Sequence, residues 1–220
     1  MRRLPATDTD PSGQNAGGRG QGAHAKTASM PRAPAIPGTI SSLQLQPLVH
    51  ALPTLGIDPE RVFGRCGLRL EQLADASVRL PASAEFEVWD ALLELSGDPL
   101  IGLRVADVVG PGALGAYEYL LRHSITLRAA IERAQRYVRL IDDHTIITLI
   151  ESPEQALLRQ ERQGGYQHPA AGTECLFATV FRILHGLLPD AFAQEMRFRH
   201  RQLGDLREYT RRFGCKLLFE

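Results

Sequence analysis

The sequence lacks the features that mark disulfide-bonded, secreted and membrane-spanning proteins. Three cysteines, Cys66, Cys175 and Cys215, are far apart and odd in number, so they form neither a disulfide framework nor a Cys-x-x-Cys metal site. No apolar run approaches the roughly 18 residues that a membrane helix needs. No apolar stretch follows Arg2 and Arg3, as a secretory signal would require. These absences predict a soluble cytoplasmic protein with reduced thiols.

Positive charge is scarce in the part of the chain that we expect to fold. The whole chain of 220 residues has 25 basic and 25 acidic side chains. Residues 1–42 hold five basic and two acidic groups, a net charge of +3, which leaves residues 43–220 with a net charge of −3. A compact DNA-reading module usually carries a basic face and a high pI. The charge distribution therefore argues against a DNA-reading module within residues 43–220.

Residues 1–42 also lack the apolar side chains that a core requires. They contain six glycines, five prolines and no aromatic residue. Such a segment cannot bury enough apolar surface to offset the entropy lost on ordering, so we predict a disordered tail over 1–42 and one folded domain over 43–220. Translation from Met30 would remove most of this tail.

The spacing of apolar residues predicts a helical first half. Caps are expected at Asp58, with Pro59 in the first turn, at Ser83 and at Thr126. Apolar positions in the last of these segments follow helical spacing most closely. The predicted helices are Leu43–Leu55, Pro59–Cys66, Leu70–Ala74, Ala84–Leu95, a helix begun by Asp98-Pro99, Ala116–Arg122 and Leu127–Ile141.

The second half mixes strands and helices. Beyond residue 141 the apolar period changes to two, and His144–Glu151 is predicted to pair with Ala156–Arg162 as a hairpin. Together with the first half, this pattern predicts an α+β fold, with a helical N-terminal half packed on a small antiparallel sheet with interspersed helices. The remaining predicted elements are a helix over Pro169–His185, a strand over Gln194–His200, a helix over Leu203–Phe213 and a strand from Cys215 to Glu220.

No catalytic or cofactor motif stands out. The seven histidines have no metal-ligand spacing. Cys175 near His168 lacks a third group to orient it, which argues against a thiol nucleophile. Gly110 to Gly115 has the spacing of a dinucleotide-binding loop, but the preceding segment is predicted to be helical, so a helix–helix connection is the better interpretation. We therefore predict no catalytic residue, no metal and no cofactor.

A basic stretch near the end of the chain admits two interpretations. Residues 197–216 contain seven basic and two acidic side chains. Phosphate binding is conceivable for such a stretch. However, Arg197 and Arg199 alternate on one face of a predicted strand, while Arg207, Arg211 and Arg212 lie opposite the apolar face of a predicted helix. A solvated face is the favoured interpretation.

Nine short motifs, in the same order along residues 45–220, resemble the arabinose-binding-like N-terminal domain of AraC/XylS-type transcriptional regulators. Each motif alone is weak, and the ordered set is what carries the resemblance. The motifs are Gly56-Ile57-Asp58-Pro59, Cys66-Gly67-Leu68, Val78-Arg79-Leu80-Pro81, Ser96-Gly97-Asp98-Pro99-Leu100-Ile101-Gly102-Leu103-Arg104, Gly112-Ala113-Leu114-Gly115-Ala116-Tyr117, Ser124-Ile125-Thr126-Leu127-Arg128-Ala129-Ala130, Arg136-Tyr137, Phe198-Arg199-His200 and Tyr209-Thr210-Arg211-Arg212-Phe213-Gly214-Cys215.

The resemblance implies a bacterial one-component regulator. In that family this domain senses a small molecule and helps dimerise, while a C-terminal pair of helix-turn-helix motifs binds DNA. No such motifs follow here, so we expect a chain truncated before its DNA-binding domain, which would contact DNA only through the missing part. The chain also departs from the family at Arg201-Gln202-Leu203-Gly204 and at Lys216-Leu217, where the family often has proline.

A sensor needs an apolar pocket with a few polar anchors. Tyr117, Tyr137 and His144 are the residues we expect to line such a pocket, at the junction of helices and strands. The effector is a small molecule of unknown identity, and a homodimer is a possible partner. Three alternatives stay open: a dimerisation remnant without ligand, a thiol-dependent hydrolase using Cys175, and a haem or metal sensor using His123 or His185.

Overall fold

The computed structural model describes residues 36–187 and 193–220, and it confirms the predicted α+β class. The helices of the described residues are α1 (Gln46–Ala51), α2 (Pro59–Arg65), α3 (Leu70–Ala74), α4 (Ser83–Ser96), α5 (Ile101–Val108), α6 (Gly115–Arg122), α7 (Leu127–Tyr137), α8 (Ala170–Leu187) and α9 (Leu206–Phe213). The strands are β1 (Thr39–Ser41), β2 (Arg79–Pro81), β3 (Thr145–Glu151), β4 (Ala156–Arg162), β5 (Glu195–Phe198) and β6 (Lys216–Phe219). No helix among residues 36–187 and 193–220 is long and apolar enough to cross a bilayer.

Helices α1 to α5 enclose the larger of two apolar cores. Phe63 on α2 and Val88 and Leu92 on α4 are fully buried in it. The start of α2 follows the prediction, since Pro59 occupies the first turn and the Asp58 carboxylate accepts a hydrogen bond from the Glu60 amide. The cap and the buried face together fix where this helix begins and which side faces inward.

The folded part begins earlier than predicted. Residues 36–42, which the sequence places in the tail, include β1, and Ile36 and Ile40 are buried in the core of α1 to α5. Strand β1 pairs antiparallel with β2, with Ile40 opposite Leu80. Two isolated isoleucines form too short a pattern to predict a strand. The strand that pairs with them is about 40 residues away in sequence, so no hairpin pattern marks the pair either. The rest of the predicted tail, with Met30, lies outside the described residues.

Proline breaks the first predicted helix. Instead of one helix over Leu43–Leu55, the chain forms a 3₁₀ turn at Ser42–Gln44, then α1, then a second 3₁₀ turn at Pro53–Leu55. Proline has no amide hydrogen to donate, and its ring crowds the preceding turn. Pro47 is accommodated in the first turn of α1, whereas Pro53 ends the regular helix.

Two helix boundaries also differ from the prediction. Helix α7 ends at Tyr137, and Val138–Leu140 forms a 3₁₀ turn in place of its predicted last turn. Its start at Thr126 is confirmed, since the threonine hydroxyl accepts a hydrogen bond from the Ala129 amide. Ser83 is the first residue of α4 and Ala82 occupies the cap position, without a side-chain hydrogen bond.

The described strands form three separate pairs. The predicted hairpin of β3 and β4 is confirmed, with Thr145 opposite Arg162 and Glu151 opposite Ala156. Strands β5 and β6 pair in parallel, which corrects the expectation of a single antiparallel sheet. Helix α9 connects β5 to β6 and supplies the crossover connection that a parallel pair needs.

The second core lies between α5, α8, α9 and the β5–β6 pair. Leu103, Phe198, Tyr209 and Phe213 are almost completely buried there. Helices α5 and α8 approach closely at Gly102, where an added Cβ would lie 2.1 Å from the carbonyl oxygen of Ala171. The absence of a side chain is therefore required at this crossing.

Candidate functional site

A buried cluster of charged side chains joins the helical half to the β3–β4 hairpin. Arg162, at the end of β4, has a fully buried side chain. Its Nη2 lies 2.6 Å from Oε2 of Glu85 on α4 and 2.6 Å from Oδ2 of Asp142, and its Nε lies 3.1 Å from the same Asp142 oxygen. Two carboxylates thus surround one guanidinium, which is the pairing that makes a buried charge tolerable.

His168 extends this cluster toward α8. Its Nδ1 lies 3.3 Å from Oε2 of Glu85, and its Nε2 lies 3.1 Å from Oγ1 of Thr145. Glu85, Asp142 and His168 together offer three ligand atoms within 4.8 Å of one another, an arrangement that could hold a metal ion. However, the Arg162 guanidinium already contacts both carboxylates and supplies a positive charge there. The cluster is therefore better described as an internal ion-pair network than as a metal centre.

Arg162 also controls the charge of Asp142. Burial of Asp142 favours its neutral form, but the Arg162 charge and a hydrogen bond from the His144 amide outweigh that effect and hold its pKa below the ordinary value. A lowered pKa keeps Asp142 ionised and bound to Arg162 at neutral pH. The network consequently ties α4 and the hairpin together through charge.

The structure places the three residues predicted to line a pocket on different elements. Tyr117 lies on α6 and is buried, and burial raises the pKa of its hydroxyl to about 12. Tyr137 is the last residue of α7 and is half-buried. The ring of His144 packs on Gly38, at a point where an added Cβ would lie 2.0 Å from the ring. None of the three lines the cleft beside α1 or the smaller cleft at the start of α2.

The larger of these two clefts lies between α1 and the connection from α5 to α6. Its volume is about 240 Å³. Its wall is mostly apolar, with the imidazole of His50 as the one ionisable side chain in the lining. The lining residues are Pro47, His50, Ala51, Val108, Val109, Gly110, Pro111, Gly112 and Ala113. A second cleft of about 90 Å³ lies at the start of α2.

Buried polar contacts hold the wall of the larger cleft in place. The Glu118 carboxylate accepts hydrogen bonds from the amides of Gly112 and Leu114, and it pairs with Arg122. Although burial opposes ionisation, these contacts lower the pKa of Glu118 and keep it charged. On the other side, the Arg182 guanidinium donates to the carbonyl oxygen of Val109. The connection over residues 109–115 is therefore an anchored loop, and the predicted helix–helix connection is confirmed.

The thiols are poorly suited to nucleophilic catalysis. Burial raises the pKa of Cys175 to about 12 and that of Cys66 to about 11, and it also raises the pKa of Cys215. A nucleophilic cysteine needs the opposite shift, because the thiolate is the reactive form. His168 contacts Glu85 and Thr145 in the ion-pair network, so the geometry does not support a hydrolase built on Cys175.

The two histidines proposed as metal or haem ligands have other neighbours. The ring of His123 stacks on Tyr119 and its Nδ1 contacts the carbonyl oxygen of that residue, while His185 meets the edge of Phe181. Within residues 36–187 and 193–220, the cluster at Arg162 is the only group of three potential ligands, and it includes neither histidine.

The basic stretch near the end of the chain is paired with surface carboxylates. Arg197 and Lys216 both contact Glu195. Arg211 and Arg212 contact Glu208, and Arg212 also contacts Asp107. These pairs agree with the solvated face predicted for the stretch. The other three basic side chains of the stretch, Arg199, Arg201 and Arg207, are exposed to solvent.

Sequence reasoning missed both the ion-pair network and the larger cleft. Glu85, Asp142 and Arg162 are separated by 20 or more positions in sequence, so no local motif indicates that their side chains meet. The sequence indicates one wall of the cleft, because the Gly110-Pro111-Gly112 run predicts a turn. It does not indicate which element packs opposite that turn. Its other wall, including His50, comes from α1.

A comparison with protein families gives one match that covers most of the chain. Residues 56–220 match the profile of the arabinose-binding domain of AraC transcription regulators, N-terminal. This range includes α2 to α9, the ion-pair network and the connection over residues 109–115 that forms one wall of the larger cleft.

Two individual proteins are also similar. The HTH-type transcriptional regulator VirS of Mycobacterium tuberculosis is 30% identical over 125 residues, which are 55% of this chain and 37% of VirS. The crystal structure of the transcriptional regulator CdpR from Pseudomonas aeruginosa superposes with a TM-score of 0.56 at 17% identity, over 80% of this chain and 51% of that one. The second likeness shows the fold alone. The chain thus spans about a third of VirS and about half of CdpR.

Proposed function

Because the chain belongs to the family of arabinose-binding N-terminal domains of AraC transcription regulators, we propose that it senses a small-molecule effector and transmits the bound state to DNA-binding residues of a cytoplasmic regulator. VirS carries the HTH description in its name, and it extends well beyond the matched 125 residues. By analogy, DNA contact would be made by residues outside the matched arabinose-binding domain.

The cleft between α1 and the α5–α6 connection is the observation that supports effector sensing. Ligand sites are mostly apolar and carry a few polar groups that fix orientation, and His50 supplies such a group here. At about 240 Å³ the cleft is smaller than a typical drug-sized pocket of roughly 300–1,000 Å³. We therefore propose a small, largely apolar effector with one hydrogen-bonding or anionic group for His50.

Binding in this cleft would couple two elements. One wall is α1, which packs in the larger core, and the other is the connection that leads into α6. A ligand that contacts both walls favours the state in which they are close, and it can shift the equilibrium only by its differential affinity for that state. The anchoring by Glu118 and Arg182 means that the connection can pass a displacement on to α6 and α8.

A thermal-shift screen of amino acids, sugars and aromatic acids tests the proposal directly. A ligand that binds only the folded state raises Tm, with a stabilisation of about 2.7 kcal/mol at a concentration of 100 times Kd. The informative variant is Gly110→Leu, because Gly110 lines the cleft and an added Cβ there meets no heavy atom within 4 Å, so a bulky side chain can be added to the cleft wall without a clash. Gly64→Leu is the matched control, since Gly64 is equally open and lies outside both clefts.

We expect the Tm shift to persist in Gly64→Leu and to vanish in Gly110→Leu. If the Tm shift persists in Gly110→Leu but is lost in Tyr137→Phe or His144→Ala, the effector binds instead at the pocket predicted at Tyr117, Tyr137 and His144. If no compound in any class raises Tm, effector sensing by this chain is wrong and only its role as a regulatory domain stands.

Self-association is a second candidate function, and exposed apolar side chains favour it. Ile150 and Leu157 face each other across the hairpin and are 47% and 49% exposed, and Ile146 on the same face is 42% exposed. Apolar patches of this kind on a sheet face mark interaction sites. Sedimentation velocity at increasing concentration would detect a dimer, and an Ile150→Lys substitution should return it to monomer.

A further inference from the structure

A second buried polar group lies apart from the cleft and from the ion-pair network. Glu174, in α8, is 0% exposed and sits in the core shared by α5, α8 and α9. Its Oε1 accepts a hydrogen bond of 2.5 Å from the hydroxyl of Tyr209 on α9. Its Oε2 is buried and has no hydrogen-bond partner among the described residues. A buried carboxylate without compensation is costly, so its charge state needs an explanation.

His200, which follows β5, faces the same carboxyl group. Its Nδ1 lies 2.9 Å from the carbonyl oxygen of Arg201, and since a carbonyl only accepts, Nδ1 carries a proton. Its Nε2 is buried, lies 4.0 Å from Oε1 of Glu174 and has no hydrogen-bond partner among residues 36–187 and 193–220. In a neutral ring Nε2 is an acceptor, and an ionised carboxylate is also an acceptor. Two acceptors therefore face each other in the core.

Tyr209 cannot supply the missing proton. Its hydroxyl already donates to Glu174, and the same oxygen accepts from the Leu203 amide at 3.3 Å. Burial and the neighbouring Glu174 carboxylate both raise its pKa, so it stays protonated at neutral pH. One further proton, carried either by Glu174 as the acid or by His200 as the imidazolium, would relieve the contact between acceptors.

We propose that Glu174, Tyr209 and His200 form a buried proton-binding site, which holds one proton while α9 and the residues after β5 pack on α8. Loss of that proton leaves an uncompensated carboxylate in the core and weakens this packing. The site connects three segments, because Phe219 of β6 contacts the rings of both His200 and Tyr209. The packing of α9 and β6 on α8 is thereby linked to pH, independently of any effector.

The other charged groups on the surrounding elements pair with one another or are exposed to solvent. On α5, Arg104 pairs with Asp98 and Glu208, and Asp107 pairs with Arg212. On the other adjacent elements, Glu85 of α4 contacts Arg162, and Arg197 and Lys216 contact Glu195. At α9, Asp205 caps the helix, Arg211 contacts Glu208 and Arg207 is exposed, as are Arg199 and Arg201 after β5. The remaining groups are Arg182, which donates to the Val109 carbonyl oxygen, Cys175 and His185 on α8 itself, and Cys215 before β6. None of them makes a hydrogen bond or ion pair with Glu174 within the described part of the chain.

The directions of the pKa shifts agree with this geometry. Burial raises the pKa of Glu174 to about 7, even though the Tyr209 hydrogen bond acts in the opposite direction. Burial lowers the pKa of His200. Both shifts favour the neutral forms, so the folded chain keeps the proton on Glu174 up to about neutral pH.

These two shifts have opposite effects on stability. The raised pKa of Glu174 contributes stability that is fully present below its unfolded pKa of 4.5 and is lost as pH rises to about 7. The lowered pKa of His200 contributes stability that is present above 6.5 and is lost as pH falls through its folded pKa. In the acidic range Glu174 and His200 thus change the stability in opposite directions as pH falls. A variant that removes one of the two groups is needed to separate their contributions.

The test compares urea unfolding of the 220-residue chain and its Glu174→Gln variant between pH 5 and 8.5. Trp89 is the only tryptophan and packs on Gly172 of α8, so its fluorescence reports on this helix. As pH rises from 5 to 7.5, we expect the folding equilibrium constant of the unmodified chain to fall by on the order of a hundredfold relative to that of the variant. Above pH 7.5 the ratio should level off. Glu94→Gln, at an exposed position on α4, is the control and should give a difference that does not change with pH.

A second measurement keeps the proposal testable if Glu174→Gln does not fold. Infrared spectra of the unmodified chain should show the carbonyl band of a protonated carboxylic acid at pH 6, and this band should disappear by pH 8.5. A Glu174→Gln difference that stays constant with pH would overturn the proposal. So would the absence of the carboxylic acid band at pH 6.

Discussion

The helices from α1 to α5 and the segment from α6 to β4 bury their apolar side chains to very different extents. In the first region Val62, Phe63 and Leu92 have no exposed surface. In the second, no residue of α7 is fully buried, and Ile125 just before it is 97% exposed. Yet α7 has the clearest helical periodicity in the sequence. Periodicity thus identifies an apolar face but does not say whether this chain covers it.

The largest loss of stability should come from removing a buried side chain from the core of α1 to α5. Phe63→Ala removes a fully buried ring, and we expect the free energy of unfolding to fall by about 3–5 kcal/mol. Leu157→Ala, at a position 49% exposed in the hairpin, should cost less than about 1 kcal/mol. Urea unfolding followed by circular dichroism measures both. Equal losses would mean that the hairpin face is covered in solution, and the contrast between the regions would then be wrong.

The ion-pair network should be nearly as important, because it is where the two regions meet. Arg162→Ala leaves Glu85 and Asp142 buried without their cation, and we expect a loss of about 3 kcal/mol or more at pH 7. The loss should be smaller at pH 5, since without Arg162 the pKa of Asp142 is no longer held down and the carboxyl can take up a proton.

Arg159→Ala is the matched control for the network. Arg159 lies in the same strand, is 47% exposed and is 3.8 Å from Glu161. An exposed pair of this kind contributes less than about 1 kcal/mol. If both arginine substitutions cost the same and show the same pH dependence, the buried network does not join the two regions.

The smallest effect concerns helix caps. Thr126→Ala removes the hydrogen bond to the Ala129 amide, and Asp58→Ala removes the equivalent bond at α2, each for a loss of about 1 kcal/mol. Hydrogen exchange should distinguish them, because α7 has no fully buried residue to hold it in place after the cap is lost. We expect faster exchange confined to α7 in the first variant. Local opening of α2 to the same degree in the second would contradict this.

Local signals in the sequence identified most elements because the relevant interactions are between near neighbours. The Asp58 and Thr126 caps, the β3–β4 hairpin and the turn at Gly214 each depend on residues within a few positions. Some errors had local causes, such as the helix that ends at Pro53, but two occurred where a partner distant in sequence decided the outcome. Strand β1 exists because β2 pairs with it, and the parallel β5–β6 pair is a contact between strands about 20 residues apart.

The candidate site was less accessible to sequence reasoning. Tyr117, Tyr137 and His144 were chosen for their position near the helix–strand junction, and their role as effector contacts remains a prediction. The cleft with His50 depends on α1 lying against a connection some 60 residues later. The acceptor pair of Glu174 and His200 depends on the packing of α8 against the residues after β5. Neither arrangement leaves a local pattern in the sequence.

The class of the fold, the order of most elements and the family can be read from the amino-acid sequence, because apolar periodicity, caps and ordered short motifs are properties of neighbouring residues. Which charges are buried together and which apolar faces stay uncovered depends on the folded arrangement. Those outcomes depend on contacts between residues far apart in sequence, whose free energies arise from desolvation and packing. The chain has a formal net charge of zero, but its buried charges differ. Arg162 is held by two carboxylates between α4 and the hairpin, whereas Glu174 makes no ion pair with a lysine or arginine within residues 36–187 and 193–220.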